Sequence, residues 1–197
     1  MAFYLCASLK EISIPNSVTT IEPWVFCECG SLTKVNLPNS ITSIGESAFQ
    51  SCWQLSSISI PNSVTDIGRL AFYQCQALKT ITIPSNVKNI GEGAFSGCGL
   101  ESVYSLNSEP PSIMYNYCFG EHTLAFATLY VPKGTKEKYK SAKGWGFTYI
   151  EETETSSINE VKFNNEKNRY IYNLNGEQLG HTQKGVNIIN GKKYLLK

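Results

Sequence analysis

The chain has 197 residues, 42% of them apolar and 17% charged, and its 17 Lys/Arg against 16 Asp/Glu leave a net charge of +1. So even a balance excludes the basic field that draws a protein to nucleic acid or to an anionic membrane. No run of about 18 apolar residues is present to span a bilayer, and no signal-peptide pattern opens the sequence.

The first residues, Ala2-Phe3-x-x-Cys6-x-x-Leu9, match Ala48-Phe49-x-x-Cys52-x-x-Leu55 further on. The chain therefore opens inside a repeat, which predicts a longer protein with more coils and an export signal ahead of it. From Leu9 the unit reads Leu9-x-x-Ile12-x-Ile14-Pro15-x-x-Val18-x-x-Ile21-x-x-x-Val25-Phe26-x-x-Cys29. It recurs with prolines at Pro15, Pro38, Pro61 and Pro84, and phenylalanines at Phe26, Phe49, Phe72 and Phe95. Cysteines keep the same step at Cys6, Cys29, Cys52, Cys75 and Cys98. A fixed period of 23 residues headed by Leu-x-x-Ile-x-Ile is the pattern of a leucine-rich solenoid.

Within each unit Leu9, Ile12 and Ile14 alternate as in a short strand, closed by a proline that cannot donate to a ladder. Stacking predicts one parallel β-sheet built from these strands. A second apolar pair such as Ile41 and Ile44 turns the chain back, and the glycine in Ile44-Gly45, Ile67-Gly68 and Ile90-Gly91 suits a positive-φ turn. The Ala-Phe pair is expected to anchor the far side as a helical turn. One coil cannot bury enough to fold alone, so stability is shared between neighbours.

Seven cysteines raise the question of disulfides. Residues one period apart stack at about the 4.8 Å strand spacing, whereas bridged β-carbons stand about 3.8 Å apart. A ladder of buried free thiols is the better expectation. Cys27 lies off that ladder and is expected at the surface. Cys27-x-Cys29 lacks zinc-knuckle spacing, and only His122 and His181 could add ligands, so neither metal nor cofactor is expected.

From Leu100 the pattern loosens. Leu100-x-x-Val103 predicts one more strand, shifted by one residue, while Pro110-Pro111 and the aromatics Tyr115, Tyr117 and Phe119 depart from the motif. Thr128-Leu129-Tyr130-Val131-Pro132 reads as a closing strand and residues 136–143 as a short helix. Trp145, Phe147, Tyr149 and Ile150 are then placed to cover the last coil. These residues make residues 1–150 a solenoid with a C-terminal cap at about 104–150. The polar stretch 151–157 reads as a linker. Residues 158–197 read as a small β-rich module, with strand-like segments at 169–174 and 185–189 and hairpin turns at Asn175-Gly176 and Asn190-Gly191. Its residues 162–197 hold seven Lys/Arg against two Glu, which fits solvated faces as well as a basic contact surface.

The repeat Leu-x-x-Ile-x-Ile-Pro-x-x-Val-x-x-Ile-Gly-x-x-Ala-Phe-x-x-Cys resembles the BspA-like leucine-rich repeats. Departures include Glu22 for Gly and Val25 for Ala. Where ordinary leucine-rich repeats carry an asparagine ladder, this chain has Ser17, Ser40, Ser63 and Asn86. Residues 170–197 are similar to the C-terminal ends of exported Bacteroidetes proteins, which include type IX sorting segments. The resemblance implies a secreted or cell-surface protein associated with adhesion to host matrix proteins or to other bacteria.

Candidate partner-binding residues follow from two arguments. The outward residues of the strands are Glu11 and Ser13, Lys34 and Asn36, Ser57 and Ser59, Thr80 and Thr82, and Tyr104, which serve a partner or simply face solvent. Trp24, Trp53 and Tyr73 are large where the repeat elsewhere carries smaller residues, and such aromatics are enriched at interface hot spots. They serve either lateral packing or a contact surface. Two readings remain: a non-enzymatic recognition module for a protein or glycan ligand, or a structural spacer with no ligand. With one aspartate (Asp66), two distant histidines and no nucleophile motif, an enzyme is not expected.

Overall fold

The computed structural model describes residues 2–153 and, beyond them, residues 171–172, 178–179, 185–189 and 192–196. Two short strands form in each coil: β1 (Glu11–Ser13) and β2 (Thr20–Ile21), β3 (Lys34–Asn36) and β4 (Ser43–Ile44), β5 (Ser57–Ile58) and β6 (Asp66–Ile67). β7 (Thr80–Ile83) and β8 (Asn89–Ile90), then β9 (Ser102–Ser105) and β10 (Ser112–Ile113), continue the series. The cap adds a 3-10 turn at Met114–Asn116, α1 (Glu121–Phe126), β11 (Thr128–Pro132), α2 (Lys136–Ser141) and β12 (Tyr149–Thr153).

The expected strand row forms as β1-β3-β5 and β7-β9-β11-β12, all parallel, and a second parallel sheet, β2-β4-β6-β8-β10, makes another side. Pairing follows the repeat: Ile12 stands opposite Val35 and Ile44 opposite Ile67. The apolar member of each pair points inward, so Val35, Ile44, Ile58, Ile67, Ile81 and Ile90 are buried in one continuous core.

The third side is a run of turns, not the helical turn expected. The N–H groups of Val25, Cys27 and Cys29 donate three residues back, to Glu22, Trp24 and Phe26. Those of Trp24, Phe26 and Glu28 donate across to the next coil, to Glu46, Ala48 and Gln50, at 2.8–2.9 Å. A helix would turn these groups inward on itself; alternating turns let half of them pair between coils.

The side chains beneath repeat as ladders. Phe3, Phe26, Phe49, Phe72, Phe95 and Phe119 stack with centroids 5.3–5.5 Å apart. Phe119, set apart in the sequence reading, is therefore the sixth rung. The thiols of Cys29, Cys52, Cys75 and Cys98 donate to the carbonyls of Phe3, Phe26, Phe49 and Phe72 at 3.0–3.2 Å, and every described cysteine is unbridged. Serine takes over the missing asparagine ladder: Ser40 and Ser63 hydroxyls donate to the carbonyls of Val18 and Ile41 at 2.7 and 2.6 Å.

Gly45, Gly68 and Gly91 are glycine because of contact, not because of a positive φ. A β-carbon there would stand 2.6, 2.6 and 2.3 Å from the backbone nitrogens of Pro23, Glu46 and Arg69 in the preceding coil. Positive φ falls instead on Trp24, Ser47, Leu70 and Gly93, one per coil, and on Glu28, Ser51, Gln74 and Gly97.

The cap closes the C-terminal end as a packed lid. Trp145 is fully buried, 5.6 Å from Phe119 and 5.0 Å from Tyr139, and its indole N–H donates to Pro111 at 2.9 Å. The Tyr139 hydroxyl meets Ser105 at 2.6 Å and donates to the Asn107 carbonyl. The Asn107 amide holds the Ser85 and Val87 carbonyls, both at 2.9 Å. Phe147 and Ile150 are buried as expected, but Tyr149 is exposed.

Two boundaries move. Thr128–Pro132 is not the closing strand, because β12 pairs outside it, Leu129 opposite Ile150 and Val131 opposite Glu152. The linker expected from Glu151 therefore loses its first three residues to a strand, since Glu151 and Glu152 keep their charges in water while their backbone completes the ladder. Residues 154–157 lie outside the described residues. In the C-terminal segment β13 (Ile171–Tyr172) pairs antiparallel with β14 (Gln178–Leu179), and β15 (Gly185–Ile189) with β16 (Lys192–Leu196). The turn residues Asn175-Gly176 and Asn190-Gly191 lie outside the described ones.

Candidate functional site

The apolar ladders point inward, so whatever the molecule recognises meets its sides. On the strand row the outward side chains stack one above another at matching register, Glu11 by Lys34 and Ser13 by Asn36, with the Asn36 amide donating to the Ser13 hydroxyl at 2.9 Å. Lys34 and Asn36 are exposed. Three coils on, Tyr104 stacks on Tyr130, with centroids 4.5 Å apart and planes 12° apart. Tyr130 in turn pairs with Glu151, and Tyr149 beside it is 54% exposed. Burial first, then the neighbouring Tyr130 and Glu151, raise the Tyr104 phenol above its ordinary pKa, so it stays a neutral hydroxyl donor at physiological pH.

The other candidates lie elsewhere. Trp24 and Tyr73 are half-buried on the turn side, and Trp24 sits at a positive φ of 62°. Trp53 is 48% exposed where the turns lead into the strand row, its ring edge braced against Gly30. The six candidates are therefore spread over three places: Lys34, Asn36 and Tyr104 on the strand row, Trp24 and Tyr73 on the turn side, and Trp53 between. The sequence reading missed Tyr130 and Tyr149 as companions of Tyr104. The alternation in Thr128-Leu129-Tyr130-Val131 carried the signal for Tyr130. It also missed the exposed Met114, Tyr115, Tyr117 and Phe126 of the cap, which no period marks.

Cys27 is buried, not at the surface as expected, and desolvation, Glu28 and Cys29 push its thiol up to about 11. Charged groups on the second sheet and its edge pair with one another. Arg69 bridges Glu46 and Glu92 at 3.1 and 3.2 Å. Asp66 accepts from Thr65 and Asn89 at 2.6 and 2.7 Å, which lowers its pKa. Among the described residues no three His, Cys, Asp or Glu side chains converge as metal ligands. His122 faces the Phe126 ring at 4.8 Å, and His181 lies outside the described residues. No described helix is long and apolar enough to cross a membrane.

Several solved structures resemble this chain. A leucine-rich repeat protein of T. pallidum is 26% identical over 76% of each chain, with a TM-score of 0.48. One from Bacteroides ovatus is 21% identical over 78% of this chain and 57% of its own, with a TM-score of 0.49. A leucine-rich cell surface protein from Faecalibacterium prausnitzii is 22% identical over 80% of this chain and 63% of its own, at 0.40. The chain matches no curated protein. Residues 1–125 match the BspA type leucine-rich repeat region in six copies, as many as the rungs of the phenylalanine ladder, and the chain belongs to that family.

Proposed function

We propose that the chain is a non-enzymatic recognition module at a bacterial cell surface or released from it, an adhesin that binds a protein or glycan partner. The observation that carries this reading is the placement of partly exposed aromatic side chains beside the small and polar residues of the strand row. Trp53 is 48% exposed against Gly30, and the stacked Tyr104 and Tyr130 are half-buried; preordered aromatics are what hot spots are made of. Membership in the BspA family supports the surface location. Residues 158–197 serve export or anchoring in this reading.

The test is a surface-plasmon screen of the purified chain against host matrix proteins and against whole bacterial cells. Saturable binding is expected. A Trp53→Ala or a Tyr104→Ala/Tyr130→Ala variant should weaken it about tenfold, the equivalent of one lost hot-spot contact, with thermal unfolding nearly unchanged. Absence of saturable binding to any partner would leave the spacer as the function. That reading draws on the neutral Ser57, Ser59, Thr80 and Thr82 stripe.

A further inference from the structure

Along one outward row of the strand face, Ser13, Asn36, Ser59 and Thr82 hold the same repeat position. In the last coils that row changes character. Tyr104 stands opposite Thr82, Tyr130 opposite Tyr104, and Glu151 opposite Tyr130. Small neutral residues give way to two stacked rings and then to a carboxylate, on three adjoining parallel strands.

The register puts these side chains on one face, because residues paired across a parallel sheet point the same way. Their inward neighbours Val103, Leu129 and Ile150 are buried, whereas Tyr104 and Tyr130 are half-buried and Glu151 is exposed. The two ring centroids lie 4.5 Å apart with planes 12° apart. Rings stacked in this way need little further ordering when a ligand arrives. The field of the carboxylate reaches past Tyr130: burial first, then Tyr130, then Glu151 raises the pKa of the Tyr104 phenol.

The charges around the rings decide what can sit on them. Glu101 is paired with Lys79 at 3.2 Å, and the Glu152 carboxylate accepts from the Lys136 N–H at 2.9 Å. Lys133, the first cation after Tyr130 in the chain, has a partner of its own. Among the described residues no cation pairs with the Glu151 carboxylate. An anion set against Tyr130 would be repelled by it. A neutral group covering the rings would strip water from the carboxylate without neutralising it. A cation gains from both elements at once: the ring faces attract it, and the carboxylate pairs with it. A guanidinium fits best, being planar, weakly hydrated and able to stack on a ring while its fork of donors meets a carboxylate.

We propose that Tyr104, Tyr130 and Glu151 form a receptor for an arginine side chain displayed by a protein partner. The inference rests on the recognition reading above and names the chemistry of the partner.

The test titrates the isotope-labelled full chain with a blocked peptide, acetyl-Gly-Ser-Arg-Ser-Gly-amide, followed by NMR. A second titration uses the same peptide carrying citrulline, the neutral isostere of arginine. Saturable shifts are expected at the amides of β9, β11 and β12, with the citrulline peptide about tenfold weaker. Glu151→Gln and Tyr130→Ala should each weaken the arginine peptide about tenfold. Glu46→Gln, which removes an equal charge elsewhere on the solenoid, should leave it unchanged. Melting curves confirm that each variant is folded. Absence of saturable shifts on these strands overturns the proposal, as does equal affinity for the citrulline peptide or undiminished binding in Glu151→Gln or Tyr130→Ala. A chain that binds a matrix protein but not the arginine peptide, and whose binding to that protein survives Glu151→Gln, overturns this proposal alone and leaves the recognition module standing.

Discussion

At the scale of single residues, the solenoid turns ordinary side chains into ladders, and two consequences can be measured. Burial raises the thiol pKa of Cys27, Cys29, Cys52, Cys75 and Cys118 above the unfolded value. A thiol held neutral in the fold but free to ionise when unfolded stabilises the fold fully below its unfolded pKa of about 8.5. That contribution is lost as pH rises through the folded value. The urea midpoint should therefore fall between pH 8 and pH 10.5, and a midpoint that held or rose would contradict the buried-thiol account. The second consequence is steric. Gly68→Ala places a β-carbon 2.6 Å from the Glu46 nitrogen, and overpacking of this kind costs about 1–3 kcal/mol. Denaturant unfolding should show that loss, whereas a glycine kept only for its flexibility would be improved by alanine.

At the scale of elements, the cap closes the C-terminal end of the solenoid. β11, α2 and β12 bring Trp145, Tyr139, Phe147 and Ile150 onto the last rung, with Phe147 5.0 Å from Phe119. Trp145→Ala removes the largest of these and strands the Pro111 carbonyl, so a loss of about 3–5 kcal/mol is expected in equilibrium unfolding. A change below about 1 kcal/mol would mean the cap is an ornament on a solenoid stable without it. The strand alternation that places these residues was legible in the sequence, and so was the short helix. What was not legible is that Glu151–Thr153 extends the sheet. A charged stretch without apolar anchors looks like a linker until a neighbouring strand, here β11, offers its free backbone edge.

At the scale of the whole molecule, each coil touches only its neighbours, so local stability follows position along the stack. The coils of β5 to β8 are packed on both sides, with Ile58, Ile67, Ile81 and Ile90 buried. Hydrogen exchange should accordingly be slowest there and faster in the exposed turns of the cap around Met114 and Tyr115. Uniform protection across all coils would instead indicate a single cooperative unit. The same one-dimensional layout scatters the recognition candidates. Side chains at one repeat position line up along the axis, while those at different positions land on different sides.

The sequence by itself determined the period, the inward ladders of Phe, Cys, Leu and Ile, the parallel strand row and the buried free thiols. Each follows from a pattern that repeats, and a repeated position meets the same surroundings in every coil. Only the tertiary structure decided the rest. It showed that Phe119 joins the ladder, that Gly45, Gly68 and Gly91 are required by the coil before them, that Cys27 is buried, and that Trp53 is seated on Gly30 while Tyr104 rests on Tyr130. All of these depend on which atoms of one coil lie against another, and a single unit of sequence does not contain its neighbour.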